Sequence, residues 1–159
     1  LSMAQEVGRL LVQQKKTLAV AEACTGGLIS NMMSDVAGCS EYFKFGAAAC
    51  SDYAKITILN VQEETISEYG AVHEKTALEM AQGVRHKADT DFGVATCGIA
   101  SPGEGIEEER AGTVCVGLAG PSVLEAKTYR FAFADRHLNK KMFAVTALDM
   151  LRNHLVKQS

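Results

Sequence analysis

Apolar and polar positions along this chain switch between a helical and a strand-like period. Met3, Val7, Leu10 and Leu11 fall on one helical face and predict a first helix over residues 2–16. Ser2 and Gln5 stand at its start with the spacing of a capping box. Thr17-Leu18-Ala19-Val20-Ala21 reads as a short buried strand. A second helix follows over 25–35, carried by Leu28, Ile29, Met32 and Met33, and Gly38 ends that segment. The second half of 42–50 reads as a strand. Its Gly46-Ala47-Ala48-Ala49 run has no bulk, so a helix or ligand can come close to the backbone.

Ser51-Asp52 predicts the start of a short helix that carries Lys55. Another short helix covers 63–69, with Gly70 just past its end. Residues 74–87 form a longer helix with Leu78, Ala81 and Val84 inward. A strand over 91–97 leads into a Gly/Pro/Glu-rich loop over 98–110, whose Glu107-Glu108-Glu109 run reads as solvated. Segments 112–118 and 124–133 read as a hairpin joined at Gly120-Pro121. The last helix spans 136–156, with Leu138, Met142, Val145, Leu148, Leu151 and Leu155 as its buried stripe. Helices and strands alternate early and strands pair late. That order predicts a three-layer α/β/α domain with a mixed, mostly parallel sheet, one domain over residues 1–159.

Composition narrows the function classes. Hydrophobic residues make up 47% and charged residues 22%, an ordinary globular balance. The formal net charge of −3 gives no field to attract nucleic acid or an anionic membrane. No apolar run approaches the roughly 20 residues needed to cross a bilayer. The first residues read as an amphipathic helix and not as a signal peptide, so a cytoplasmic protein is expected. The cysteines are Cys24, Cys39, Cys50, Cys97 and Cys115, with no C-x-x-C among them. With His73, His86, His137 and His154 scattered, they show no zinc spacing. Reduced thiols, no metal and no cofactor are expected.

Four stretches follow strand ends, where an open α/β sheet forms its ligand crevice: 22–27, 50–55, 97–105 and 134–141. Gly26-Gly27 is not a dinucleotide fingerprint, and no phosphate-binding P-loop is present. The order of motifs is more specific. Glu22-Ala23-Cys24-Thr25-Gly26-Gly27 is followed by Ala37-Gly38-Cys39-Ser40-Glu41-Tyr42-Phe43 and Ser51-Asp52-Tyr53-Ala54-Lys55. Gly70-Ala71-Val72, Gly98-Ile99-Ala100-Ser101-Pro102, Gly112-Thr113-Val114 and Phe133-Ala134-Asp135-Arg136 complete the series. It resembles the C-terminal domain of the competence/damage-inducible CinA family, found also as a stand-alone nicotinamide-nucleotide amidase. The resemblance covers nearly the whole chain. Many members carry a further N-terminal domain, which these 159 residues do not include.

The resemblance implies hydrolysis of the carboxamide of nicotinamide mononucleotide to the acid and ammonia. It also implies a homo-oligomer. Members usually read A-E-S-C-T-G-G, with the Ser hydroxyl as nucleophile. A Tyr and a Lys in a Y-S-N-x-x-K-like motif activate it, and a Thr or Ser before G-I-A-G-P helps line the site. An amide needs an attacking atom, a proton acceptor and donors for the oxyanion, so these roles suit the chemistry.

Here Ala23 replaces the Ser, Cys50 the Tyr, Cys97 the Thr or Ser, and Ser101 a Gly. Lys55 remains as the candidate catalytic cation. Cys24, Thr25, Gly26, Gly27, Ser51, Gly98, Arg136 and Lys141 are the candidate ligand-binding residues, with Arg136 suited to phosphate. Thr25, Cys50 and Cys97 are alternative attacking groups, set against the reading that the two thiols merely fill space. The pattern is that of a diverged paralogue with weak or no deamidase activity. The alternative is a non-catalytic mononucleotide-binding pseudoenzyme or a regulatory subunit.

Overall fold

The computed structural model describes residues 1–101, 110–131 and 133–159; the Glu107-Glu108-Glu109 run lies outside them. The strands are β1 (Leu18–Glu22), β2 (Phe43–Ala48), β3 (Phe92–Ile99), β4 (Thr113–Gly120) and β5 (Val123–Arg130). They form one sheet in the order β2-β1-β3-β4-β5. β1 pairs parallel with β2 and β3, while β4 pairs antiparallel with β3 and β5. Four of the five strands therefore point one way, and β4 runs against them. The helices are α1 (Met3–Gln14), α2 (Leu28–Ser34), α3 (Asp52–Leu59), α4 (Glu63–Tyr69), α5 (Glu74–Ala88) and α6 (Arg136–Lys157). None is long and apolar enough to cross a membrane.

Strand alternation builds two different cores. Leu18 and Val20 of β1, Val94 of β3, and Val114 and Val116 of β4 face one side. There they meet Val7 and Leu11 of α1, Ile29 and Met33 of α2, and Phe143, Leu148 and Leu151 of α6. The opposite face carries Ala19, Ala21, Ala95, Cys97, Cys115 and Ala119, against Ala77, Met80, Ala81 and Val84 of α5. Small side chains on that face let α5 lie close to the strands. At two points nothing larger than hydrogen fits: a Cβ on Gly93 would meet the Ala81 carbonyl, and one on Gly117 the Ala77 carbonyl.

The element boundaries differ from the sequence reading in three places. β2 runs over Phe43–Ala48, starting ahead of the second half of 42–50 and stopping short of its end. A register shift against β1 between Leu18 and Ala19 places Phe43 in the α1/α6 core and Phe45 and Ala47 in the α5 core. On α6 Leu148, Leu151 and Leu155 are buried as expected, and only the first half of the stripe is turned. Asn139, Phe143, Ala144 and Ala147 point inward, whereas Leu138 is exposed and Met142 and Val145 are half-buried. The third difference is α2, which begins at Leu28 because residues 25–27 form a turn, with Gly26 at φ 61° and Gly27 at φ 104°.

One buried charge organises that turn. Glu22, the last residue of β1, is fully buried. Its Oε1 accepts from the Thr25 hydroxyl at 2.6 Å and the Ile29 N–H at 2.8 Å. Its Oε2 accepts from the Ser30 N–H and the Ser30 hydroxyl, both at 2.9 Å. Gly27 has no side chain to cap α2, so Glu22 reaches across from the strand to do so. The carboxylate also sits at the positive end of the helix dipole.

Two stability changes follow from these contacts. Glu22→Gln replaces one acceptor oxygen by a donor against buried donors, and is expected to cost about 3 kcal/mol in urea unfolding. A loss under about 0.5 kcal/mol would show that the Glu22 network contributes little. Gly117→Ala drives a methyl into the Ala77 carbonyl and is expected to cost about 2 kcal/mol in the same measurement. An unchanged midpoint would mean that α5 yields freely.

Candidate active site

β1, β2 and β3 all end at the same edge of the sheet, and the chain passes to opposite sides of β1 to form β2 and β3. That reversal opens a crevice beyond the strand ends. The crevice is a cleft of about 450 Å³. The turn after β1 supplies Ala23, Cys24 and Gly26, and Cys50 and Lys55 come from the start of α3. The end of β3 and its exit contribute Cys97 through Ser101, and the first turns of α6 contribute Arg136 and Lys140. Ala71 and Val72 close one wall. A second cavity of about 400 Å³, beside Arg85, His86 and Asp89, lies at the opposite end of the strands and contains none of these residues.

The charge in the cleft is one-sided. Lys55, Arg136 and Lys140 line it, and no described carboxylate does. Lys55 is only 2% exposed. Its backbone is held in α3, where the Lys55 N–H donates to the Ser51 carbonyl at 3.1 Å. No ion pair or side-chain hydrogen bond among the described residues reaches its ammonium. The side chain is packed along its length with its ammonium left to the cleft, where a bound anion or a reacting group can pair with it. Arg136 is exposed and donates from Nη1 to the Ser101 hydroxyl at 2.9 Å.

Ala23 stands at the floor with its backbone fully engaged. Its N–H donates to Thr96 O at 3.1 Å, and its carbonyl accepts from the Gly26 N–H at 3.1 Å and the Cys50 thiol at 3.3 Å. The cleft thiols differ in kind. Burial pushes Cys24 up to about 12. A hydrogen bond to Cys115, its opposite number on β4, and burial hold Cys97 well above the usual thiol range. Cys50 is exposed. Gly98 also lines the cleft, and a Cβ there would press on Thr113 O and the Cys24 sulfur.

Four sequence candidates lie elsewhere. The Thr25 hydroxyl turns inward to Glu22 and, at 2.9 Å, to Thr96; it is buried away from the cleft and cannot attack a ligand there. Gly27 supplies the left-handed turn before α2. Ser51 caps α3, its hydroxyl accepting from the Ala54 N–H at 3.0 Å. Lys141 is exposed on α6 outside the cleft lining, and Lys140 takes its place. Lys140 is four residues beyond Arg136, one helical turn on the same face, and that spacing is the signal that selects it over Lys141. His73 caps α5, its Nδ1 accepting from the Lys75 N–H at 3.0 Å.

Two positioning residues were not among the candidate site residues. Glu22 fixes the turn of 23–27. Asn139 is buried in α6 and donates from Nδ2 to Ala100 O at 2.7 Å and Phe133 O at 2.9 Å, joining the exit of β3 to the start of α6. A polar residue within an apolar helical stripe is the available signal for Asn139. Among the described residues no cluster of three His, Cys, Asp or Glu is placed to hold a metal.

Comparison with known proteins places this geometry. The CinA C-terminal domain family model matches residues 1–155. The chain is 52% identical over 158 residues to a CinA-like protein of Desulforapulum autotrophicum, covering 99% of this chain and 37% of that protein. It is 47% identical over 156 residues to a CinA-like protein of Desulfosudis oleivorans, covering 98% and 38%. The chain thus spans a little over a third of the length of these relatives. Among solved structures, a CinA superfamily protein from Klebsiella pneumoniae superposes with a TM-score of 0.92 at 28% identity, covering 98% of this chain and 96% of that one. A competence/damage inducible protein from Agrobacterium tumefaciens gives 0.86 at 31% identity, covering 95% and 94%. The chain belongs to the CinA C-terminal domain family.

Proposed function

We propose that the cleft binds a pyridine mononucleotide, nicotinamide mononucleotide being the reference ligand, and that its deamidation is weak or absent because residue 23 has no hydroxyl. The observation that carries this reading is the pairing of a cationic lining, with no carboxylate among the described residues, and an alanine at the floor. A phosphate suits the Arg136 fork and the Lys140 ammonium at the rim. The buried Lys55 suits the polar end of the carboxamide. Serine-type attack on that carboxamide has no oxygen at residue 23 to perform it, and loss of such a nucleophile costs several orders of magnitude in rate.

Calorimetry with nicotinamide mononucleotide is expected to show binding that weakens at least about tenfold in Arg136→Ala, the loss of one charge-assisted hydrogen-bonded contact. Lys55→Ala is expected to weaken it as well. Affinity unchanged in both variants would overturn the assignment of the cleft. Ammonia release from the unmodified chain is expected to be far below that of family members that keep the Ser. Ala23→Ser is expected to raise it only weakly, since Cys50 and Cys97 also differ from the family pattern. Full activity from that single change would show that the other two replacements are neutral.

A further inference from the structure

Removing the oxygen at residue 23 leaves three thiols in the cleft, and they are not equivalent. Cys24 is half-buried and Cys97 buried, and both hold their protons tightly, Cys24 through burial and Cys97 through the neighbouring Cys115 thiol together with burial. Cys50 is open to solvent, and its sulfur rests 3.3 Å from the Ala23 carbonyl oxygen, in contact with the residue that lost its nucleophile. A second observation points to the same place. Lys55 lies five residues on, lines the same cleft, and is nine-tenths buried with no acceptor among the described residues.

We propose that Cys50 is the covalent nucleophile of this cleft, serving acyl transfer from a small carboxamide in place of the missing serine. The proposal rests on reading the cleft as a carboxamide site. The Cys50 sulfur bonds to the acyl carbon while the Lys55 ammonium gives a proton to the departing nitrogen, and the proton lost from the thiol restores the ammonium. The C–N bond breaks, ammonia leaves, and a thioester remains on Cys50. Water then adds to the acyl carbon, the C–S bond breaks, the acid leaves, and one water proton returns to sulfur. The two steps sum to amide plus water giving acid plus ammonia, with no oxidant or reductant. Cys50 is thus a catalytic residue in a position where the family pattern has Tyr.

The test uses the intact chain and iodoacetamide, a small carboxamide electrophile. Cys50 is the only cysteine between Lys44 and Lys87, so a tryptic digest reports its alkylation separately from the others. Cys39, half-buried and outside the cleft lining, serves as the internal reference. The expected result is that Cys50 alkylates fastest of the five. Lys55→Met is expected to slow it at least tenfold while Cys39 is unchanged, and Lys55→Arg to restore most of the rate. Equal Cys50 rates in the unmodified chain and Lys55→Met, with both folded by circular dichroism, overturn the proposal. So does a Cys50 rate no greater than that of Cys39.

A second arm uses nicotinamide mononucleotide. Residual ammonia release, and hydroxamate formed in the presence of hydroxylamine, are expected to vanish in Cys50→Ala. Residual release that persists in Cys50→Ala overturns the proposal. Lys55-dependent alkylation in a protein that does not bind the nucleotide supports Cys50 as the nucleophile and overturns the mononucleotide reading instead.

Discussion

The Glu22 carboxylate is the interaction on which the remaining architecture of the cleft depends. An isolated carboxylate is costly to bury, and this one is matched by four donors that satisfy both oxygens. Those donors come from the turn and the first residues of α2, and Thr25 extends the network to Thr96 on β3. One charge therefore joins the end of a strand, the start of a helix and the neighbouring strand. Residues 23, 24 and 26 lie within that loop of bonds, so their places in the cleft are set by a group that does not itself line it.

The other wall of the cleft is set by packing. Large side chains under α1, α2 and α6 and small ones under α5 give the two faces of the sheet different depths. Phe143, Leu148 and Leu151 seat α6 against the sheet. Asn139 then ties its first turns to the β3 exit through two carbonyls. The result aims Arg136 and Lys140 across the strand ends toward the turn that Glu22 holds. Hydrophobic burial supplies the position of the cations, and a single amide side chain supplies their alignment.

Much of this was legible in the sequence where one local rule decides the outcome. The Ser2/Gln5 capping box forms with both reciprocal bonds, and α3, α4 and α5 fall close to their expected bounds. Ala23, Cys24, Gly26, Cys50, Lys55, Cys97, Gly98 and Arg136, which the family resemblance marked out, lie together in one cleft. The misses occur where a distant partner decides. The hydrophobic alternation of 42–50 does not show that a register shift against β1 divides Phe43 from Phe45. Thr25 stands in a glycine-rich turn that reads as ligand-facing, and only the buried Glu22 explains why its hydroxyl turns away. The first half of the α6 stripe was misplaced because the Ala100 and Phe133 carbonyls hold Asn139, a polar residue, at a buried position that apolar counting passes over.

The residues that hold the cleft in place and the residues that depart from the family pattern are different ones. Ala23 supports the fold through its N–H and carbonyl and through a methyl buried in the α5 core. Those bonds are the same whatever side chain residue 23 carries. Cys50 adds one thiol hydrogen bond at the rim, and Cys97 packs as a small residue in the α5 core. Neither place requires a Tyr, Thr or Ser for packing. By contrast, Glu22, Gly98 and Asn139 each hold contacts that no other side chain reproduces. The cationic cleft around Lys55, Arg136 and Lys140 therefore rests on Glu22, Gly98 and Asn139 more than on the side chains at residues 23, 50 and 97.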